Sequence, residues 1–542
     1  MIKKRSHKKR VCLLMAIGML AAQVFPVWGA VPEAAPKQLK SVTYVSDAWV
    51  INFWNTESDH MEEELAQIAS DGFNSIILAI PWREFQPEAS PARYNSYAFD
   101  KLDRIMQAAQ EQGLWVVLRV SYTWDYCGDD QPTLRFRQFL GDEDLRSAWL
   151  DYVEAVYQAV SAYDNFYGGF ITWEDFWNYM EDAPGIFLTR KEGIAEAKRI
   201  GFQDYLEERY TLEELRRYFE PQAKLAGYGS VGIPQRSSPA YQLFFEFYDH
   251  FLMELLAEAQ QVFPDLSMEV RLDVDPVRGL DGNREGANHF STFPCQDAPY
   301  TALMYSVSMG QEHNRLLTAP EAISTMEEQL NLVKAFNGGK PVFIDQLLYM
   351  DITPGFEKNA RLMEEERNAY LTGLPELLRR DTNGYAVWSY RNYANNFVYN
   401  GQFALGDKGW EVSRGKVRDR DGSSRMRLEN GGSISQKIGH RVSRNSIEDN
   451  HVRFTADSDS PVRLFVTLGS RTETVTVDGE WGFDLNFGKC EYDEIRFRAA
   501  GEVWLDNICV YNFVQDGQLY DMDGNELACL DGIRELNRML GQ

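Results

Sequence analysis

Short runs of β-branched and aromatic residues alternate with amphipathic stretches between about residues 45 and 395. The runs fall at 49–54, 74–82, 115–122, 168–173, 268–274, 301–307, 341–348 and 385–390, with helical spacing at positions such as 61–70 and 99–112 between them. Strand and helix in repeated order are the pattern of a parallel sheet with helical crossovers. Eight such runs predict an α/β fold closed as a TIM (β/α)8 barrel. A doubly wound sheet is the alternative, although no G-x-G-x-x-G turn follows the first run to hold a dinucleotide. Near residue 400 Gly, Ser and Asn increase, and short alternating runs at 452–456, 462–468 and 472–477 follow without helices. That period of two predicts an additional β-sandwich (jelly-roll-like) domain. The stretch 528–540 is again amphipathic. Because the eighth strand otherwise lacks its covering helix, the expected order is a barrel over 41–398, a sandwich inserted at 399–513, and the last barrel helix within 514–542. The plainer reading packs that helix on the sandwich.

Lys3, Lys4, Arg5, Lys8, Lys9 and Arg10 precede an apolar stretch over 11–24, with small Gly29 and Ala30 near a plausible cleavage point. This is the layout of a signal peptide over 1–30, short for a membrane span. It predicts a secreted, periplasmic or cell-surface protein with no stable span after cleavage, an uncleaved anchor being the other outcome. Losing the six basic residues takes the net charge from −26 to −32. Such a field repels polyanions, so nucleic acid is excluded and neutral or cationic polymers and small molecules remain; the plainer role of the charge is solubility. The 542 residues, 44% hydrophobic and 13% aromatic, suffice for a large core and two domains. Five cysteines lie beyond the signal: Cys127, Cys295, Cys490, Cys509 and Cys529. Cys490 with Cys509, or Cys127 with Cys295, could pair, but spacing does not assign connectivity; no zinc motif is present, and no metal or cofactor is implied.

A barrel of this kind carries its site at the C-terminal strand ends. Those ends are aromatic and polar here: Trp54 and Asn55; Trp82, Arg83 and Glu84; Arg119, Tyr122, Trp124 and Asp125; Trp173, Glu174, Asp175 and Trp177; Asp273 and Asp275; Tyr305; Asp345, Gln346 and Tyr349; Trp388, Tyr390 and Arg391. Ile171 to Trp177 sets two adjacent carboxylates between tryptophans. Sugar chemistry needs both, an acid to protonate the glycosidic oxygen and flat apolar rings against the pyranose face. One tryptophan by itself is more often core, and one strand-end carboxylate is as readily an ion-pair member. Their recurrence points to a cleft for a polysaccharide or oligosaccharide.

The stretches 72–82 (Gly-Phe-Asn-Ser-Ile-Ile-Leu-Ala-Ile-Pro-Trp), 102–105 (Leu-Asp-Arg-Ile), 113–118 (Gly-Leu-Trp-Val-Val-Leu), 340–344 (Lys-Pro-Val-Phe-Ile) and 384–390 (Gly-Tyr-Ala-Val-Trp-Ser-Tyr) resemble strands and helices of the (β/α)8-barrel retaining glycoside hydrolases, as in family 5 cellulases and mannanases. The sandwich, with Asn400-Gly401-Gln402-Phe403 and Gly409-Trp410, resembles a carbohydrate-binding module. The resemblance implies an acid/base Glu after strand four, matched by Glu174, and a nucleophilic Glu after strand seven. That second position holds Gln346, whose amide cannot attack an anomeric carbon as a carboxylate does. Trp173 stands where the clan places Asn, and Ile77 where family 5 places Arg; Arg119 is a substitute cation or a structural ion-pair member. Three routes follow. Asp345 reaches the site through a local distortion of its strand; Asp273 or Asp275 serves by inversion; or a substrate acetamido group attacks while Gln346 orients it. The expectation is an exported glycoside hydrolase with Glu174 as acid/base and Asp345 as nucleophile. Its rivals are a polysaccharide-binding protein on a degenerate barrel and a surface scaffold.

Overall fold

The computed structural model describes residues 34–541 apart from 57–59, 123–134, 136–138, 173–179, 181–182, 188, 220–224, 272–274, 281–283, 288–297, 309–310, 351–357, 421, 439–448, 513 and 516–518. Eight parallel strands close into a barrel, each beside its sequence neighbour. They are β1 (Leu39–Thr43), β2 (Ser75–Pro81), β3 (Trp115–Tyr122), β4 (Phe166–Ile171), β5 (Ser267–Arg271), β6 (Thr301–Ser306), β7 (Val342–Leu348) and β8 (Thr382–Val387). Covered on both faces, these strands are near-continuous apolar runs; β2 is buried at every position. The helices between them include α1 (Met61–Ser70), α2 (Ser96–Glu111), α3 (Glu143–Val160), α4 (Tyr241–Val262), α5 (Ala319–Phe336), α6 (Arg367–Gly373) and α7 (Pro375–Asp381). Asp142 caps α3 by accepting the Leu145 amide at 3.0 Å.

Seven of the eight expected runs overlap these strands, but the first does not. Residues 49–54 form a helical turn in which the Phe53 amide donates to the Trp49 carbonyl at 2.8 Å. The reason is their spacing: Trp49 with Phe53, and Val50 with Trp54, recur every four residues and so share a helix face. The strand role passes to Leu39–Thr43, which pairs with β8 and β2 on either side. Gly384 allows this closure, because a Cβ there would stand 2.6 Å from the Leu39 carbonyl oxygen.

Eight antiparallel strands follow: β9 (Glu411–Arg420), β10 (Ser423–Lys437), β11 (Asn450–Asp457), β12 (Val462–Leu468), β13 (Arg471–Val477), β14 (Trp481–Gly488), β15 (Glu494–Ala499) and β16 (Val503–Tyr511). The long β10 pairs with β16 through Met426–Leu428 and with β15 through Ser433–Lys437, so one strand serves both layers of a sandwich. Leu464, Val466, Phe454, Phe497 and Leu505 fill its interior. Cys490 and Cys509 are free thiols, which corrects the pairing considered from sequence; Cys509 is buried beside Arg453.

The chain enters and leaves this unit side by side, Tyr393 pairing with Gln515 and Ala394 with Val514. The amphipathic helix α8 (Leu530–Leu540) then packs on the barrel. Its Asn537 accepts the Tyr385 hydroxyl at 2.7 Å and donates to the Asp71 carbonyl at 3.0 Å, while Arg534 pairs with the Asp71 carboxylate at 2.8 Å. No helix among the described residues is long and apolar enough to cross a membrane.

Candidate active site at the barrel mouth

Three strands and the residue just beyond a fourth send polar side chains to one point inside the barrel. Arg119 of β3 is 2% exposed. Its Nη2 donates to Thr172 Oγ1 at 2.8 Å and to Glu269 Oε1 of β5 at 3.2 Å. The Thr172 hydroxyl, just beyond β4, donates to Glu269 Oε2 at 2.7 Å. With its amide turned to satisfy both ends, the Gln346 side-chain oxygen accepts from Arg119 Nη1 at 2.7 Å. The half-buried Trp388 indole lies 6.0 Å from the guanidinium.

Asp345 and Gln346 both reach this cluster because β7 carries an extra residue. Ala302 of β6 pairs with Phe343 and Met304 with Gln346, three steps along β7 against two along β6. The pairing with β8 also shifts, between Ile344 and Leu347. Strict alternation would send one of the two side chains outward; the bulge turns both inward.

Burial then biases protonation. Burial pushes the Asp345 carboxyl well above the usual carboxylate range, the neighbouring Glu269 carboxylate adds to the push, and Arg119 opposes it. The Asp345 carboxyl faces that of Glu269, and its own backbone amide partly offsets the push. Two carboxylates cannot hydrogen-bond unless one holds a proton. Arg119 pairs with Glu269 at 3.2 Å, while burial and the neighbouring carboxylate favour the protonated form of Asp345. In its protonated form Asp345 can donate a proton, and it can attack an anomeric carbon only after losing it.

No protein-family model matches this chain, and no curated protein matches it by sequence. Among solved structures it is similar to the exo-β-1,4-mannosidase Op5Man5 from Opitutaceae bacterium strain TAV5, with 12% identity and a TM-score of 0.40, covering 68% of this chain and 56% of that one. Against GH5_18 from Streptomyces cattleya in complex with GlcNAc the identity is 14% and the TM-score 0.42, over 66% and 72% of the two chains. Against the β-galactosidase from Bacillus circulans sp. alkalophilus they are 11% and 0.45, over 66% and 51%. The barrel itself is fixed by the strand pairing above, independently of these overlays.

The remaining strand-end residues divide sharply. Trp124, Trp173, Glu174, Asp175, Trp177 and Asp273 lie outside the described residues, as do the side chains of Tyr122 and Asp275. Trp54 is fully buried, its indole N–H donating to the Ala79 carbonyl at 2.8 Å, so it is core and not a sugar platform. Trp82 is likewise fully buried, donating to Gln86 Oε1 at 2.7 Å and edge-on to Phe139. Tyr305 is buried beside Tyr370 of α6, behind the sheet. Arg391 binds Glu64 and the Asp521 and Met522 carbonyls, a clamp between the α1 region and the C-terminal segment. All four share one physical reason: an aromatic or basic residue at a strand end has two layers to enter, and these enter the packing layer. Of the described candidates, Arg119, Asp345, Gln346 and Trp388 converge. Sequence reading missed Glu269 and Thr172. Glu269 was visible as a charge inside the apolar run 268–274, at an inward-facing position rather than at the strand's end.

Proposed function

We propose that the chain is a glycoside hydrolase acting on a polysaccharide or oligosaccharide, exported by its N-terminal segment, with Glu174 as general acid. The observation that carries this reading is the Arg119–Glu269–Asp345–Gln346 cluster at the C-terminal mouth of a (β/α)8 barrel, directly beneath the end of β4 that leads into Glu174. Charge buried at that cost is retained where a ligand must be met by fixed dipoles. Thr172, two residues before Glu174 in the sequence, is tied into the cluster by its bond to Glu269. The half-buried Trp388 face offers a sugar platform at the rim.

Asp345 enters this reading as a reserve of protons beneath Gln346, and it attacks as a nucleophile only after losing one. A neutral Asp345 favours the route in which the substrate's own acetamido group attacks, with Gln346 holding that group. The same observation favours a second reading, a barrel that binds polysaccharide and no longer cuts it.

The experiment is a screen of the purified protein on polysaccharides with and without N-acetylated sugars. Release of reducing ends by the native protein and none by Glu174→Gln supports hydrolysis. Tight binding with no release supports the second reading, and full activity in Glu174→Gln removes Glu174 from catalysis.

A further inference from the structure

β7 reads Val-Phe-Ile-Asp-Gln-Leu-Leu, an apolar strand interrupted by two polar neighbours. Ladders hold it on both sides: Val342, Phe343 and Leu347 pair with β6 and β8, Ile344 with β8, and Gln346 and Leu348 with β6. Of its residues, all of them described, Asp345 is the one with a register partner on neither side. Its amide N–H turns to its own carboxyl instead. A bulge leaves its extra residue outside the ladder, so the barrel wall is least tied where Asp345 sits.

The polar cluster supplies what the ladder does not. Gln346 accepts from Arg119 Nη1 at 2.7 Å, and Arg119 binds Thr172 and Glu269 at 2.8 and 3.2 Å. Among the described residues, the titratable groups facing Asp345 are Arg119 of β3, Glu269 of β5 and the Tyr300 hydroxyl just before β6. On β8, Tyr385 turns outward to Asn537. Burial holds the Tyr300 phenol above the ordinary tyrosine range, so it stays uncharged at neutral and mildly alkaline pH.

One guanidinium therefore stands against two buried carboxyl groups. While these hold one proton between them, the charges cancel and one carboxyl can donate to the other. With both ionised, a surplus negative charge is buried and like charges face each other. Displacing Asp345 toward water relieves both costs, and its unladdered backbone is free to move.

We infer that Asp345 is a pH-sensitive latch in the barrel wall: protonated, it keeps the bulge docked and Gln346 on Arg119; ionised, it is driven from Glu269 and carries Gln346 off the cluster. The latch belongs to the scaffold and operates whether the mouth cuts polysaccharide or only binds it. Opening releases one proton, so each pH unit above the titration of the docked carboxyl shifts the balance toward the open form by up to about tenfold.

Hydrogen exchange of the full-length protein, read by mass spectrometry between pH 5 and pH 9, tests this without any sugar. Rates for a peptide covering 342–348 are divided by those of an unstructured chain at the same pH, with a peptide over β2, 75–81, as the reference. In the native protein, protection of the β7 peptide is expected to fall tenfold or more across that range while β2 stays protected. Asp345→Asn, which keeps the shape and cannot ionise, should hold β7 protection constant, and so should Glu269→Gln, which removes the opposing charge. A flat native profile, or a fall that persists in either variant, overturns the latch. Equal loss of protection at β2 also overturns it, because the whole barrel would then be opening.

Discussion

Along β15 of the sandwich, Arg496 and Arg498 alternate with buried Ile495, Phe497 and Ala499, so every charge faces water and every apolar side chain faces the core. Inside the barrel mouth Arg119, Glu269 and Asp345 are at most 2% exposed. The sandwich obeys the alternation rule because nothing but stability is asked of its interior. The mouth breaks it, and desolvating three ionisable groups costs more than an apolar layer of the same size would. Other charges are buried in both units, such as Lys101 in the barrel and Asp506 in the sandwich, but the mouth gathers three at the inner face of its strands, where the alternation rule would place apolar side chains.

The contrast can be broken most severely at Glu174. Its replacement by Gln is expected to lower turnover about 10²–10⁴-fold, the usual worth of a general acid, with sugar binding retained; reducing-end release and calorimetry measure the two. Next is Arg119→Ala, which strands two buried carboxyl groups. Urea unfolding should show a loss of about 3–5 kcal/mol, and a loss below about 1 kcal/mol would contradict the burial described. In the sandwich, Leu464→Ala should cost about 2–5 kcal/mol by leaving a cavity, with hydrolysis unchanged under conditions where the protein stays folded.

A smaller effect follows from Asp345. Its folded carboxyl titrates above its unfolded value of about 3.9, so its stabilising contribution is whole below that pH and is lost as pH rises toward the folded value. Relative to Asp345→Asn, the native protein should therefore gain in urea midpoint as pH falls from about 8 to about 4. Parallel profiles for the two proteins would show that Asp345 is ionised in the fold. Smallest is Arg427→Ala on the sandwich surface. Its pair with Glu502 is 2.5 Å long but both side chains are more than a third exposed, so no measurable change in urea midpoint is expected.

The barrel and the sandwich were legible because period decides them: seven runs fell on their strands, and the change from helical to two-residue spacing marked the second unit. The first strand was missed because Trp49–Trp54 is richer in aromatic residues than Leu39–Thr43, and composition outweighed its four-residue spacing. Asp345 and Gln346 were legible as candidates, and the bulge that brings them together answers the distortion that alternation demanded. Trp54, Trp82, Tyr305 and Arg391 were assigned to a cleft because a strand end shows which residues leave the sheet but not which layer they enter. Glu269 escaped notice for the opposite reason: it sits within its strand, where only the inward side of the barrel distinguishes a site residue from a core one.

The paired strands at Tyr393–Ala394 and Val514–Gln515 also set an order of events during synthesis. The barrel's β8 leaves the ribosome before the sandwich, while α8, which covers β8 through Asn537 and Tyr385, leaves after it. Until the whole sandwich has been made, the barrel has its eight strands but an uncovered flank between β8 and β1. The sandwich, whose strands are contiguous in sequence, has no such wait and can fold first as a unit. The covering of that flank by α8 thus comes, in chain order, only after a domain that contributes none of the barrel's strands.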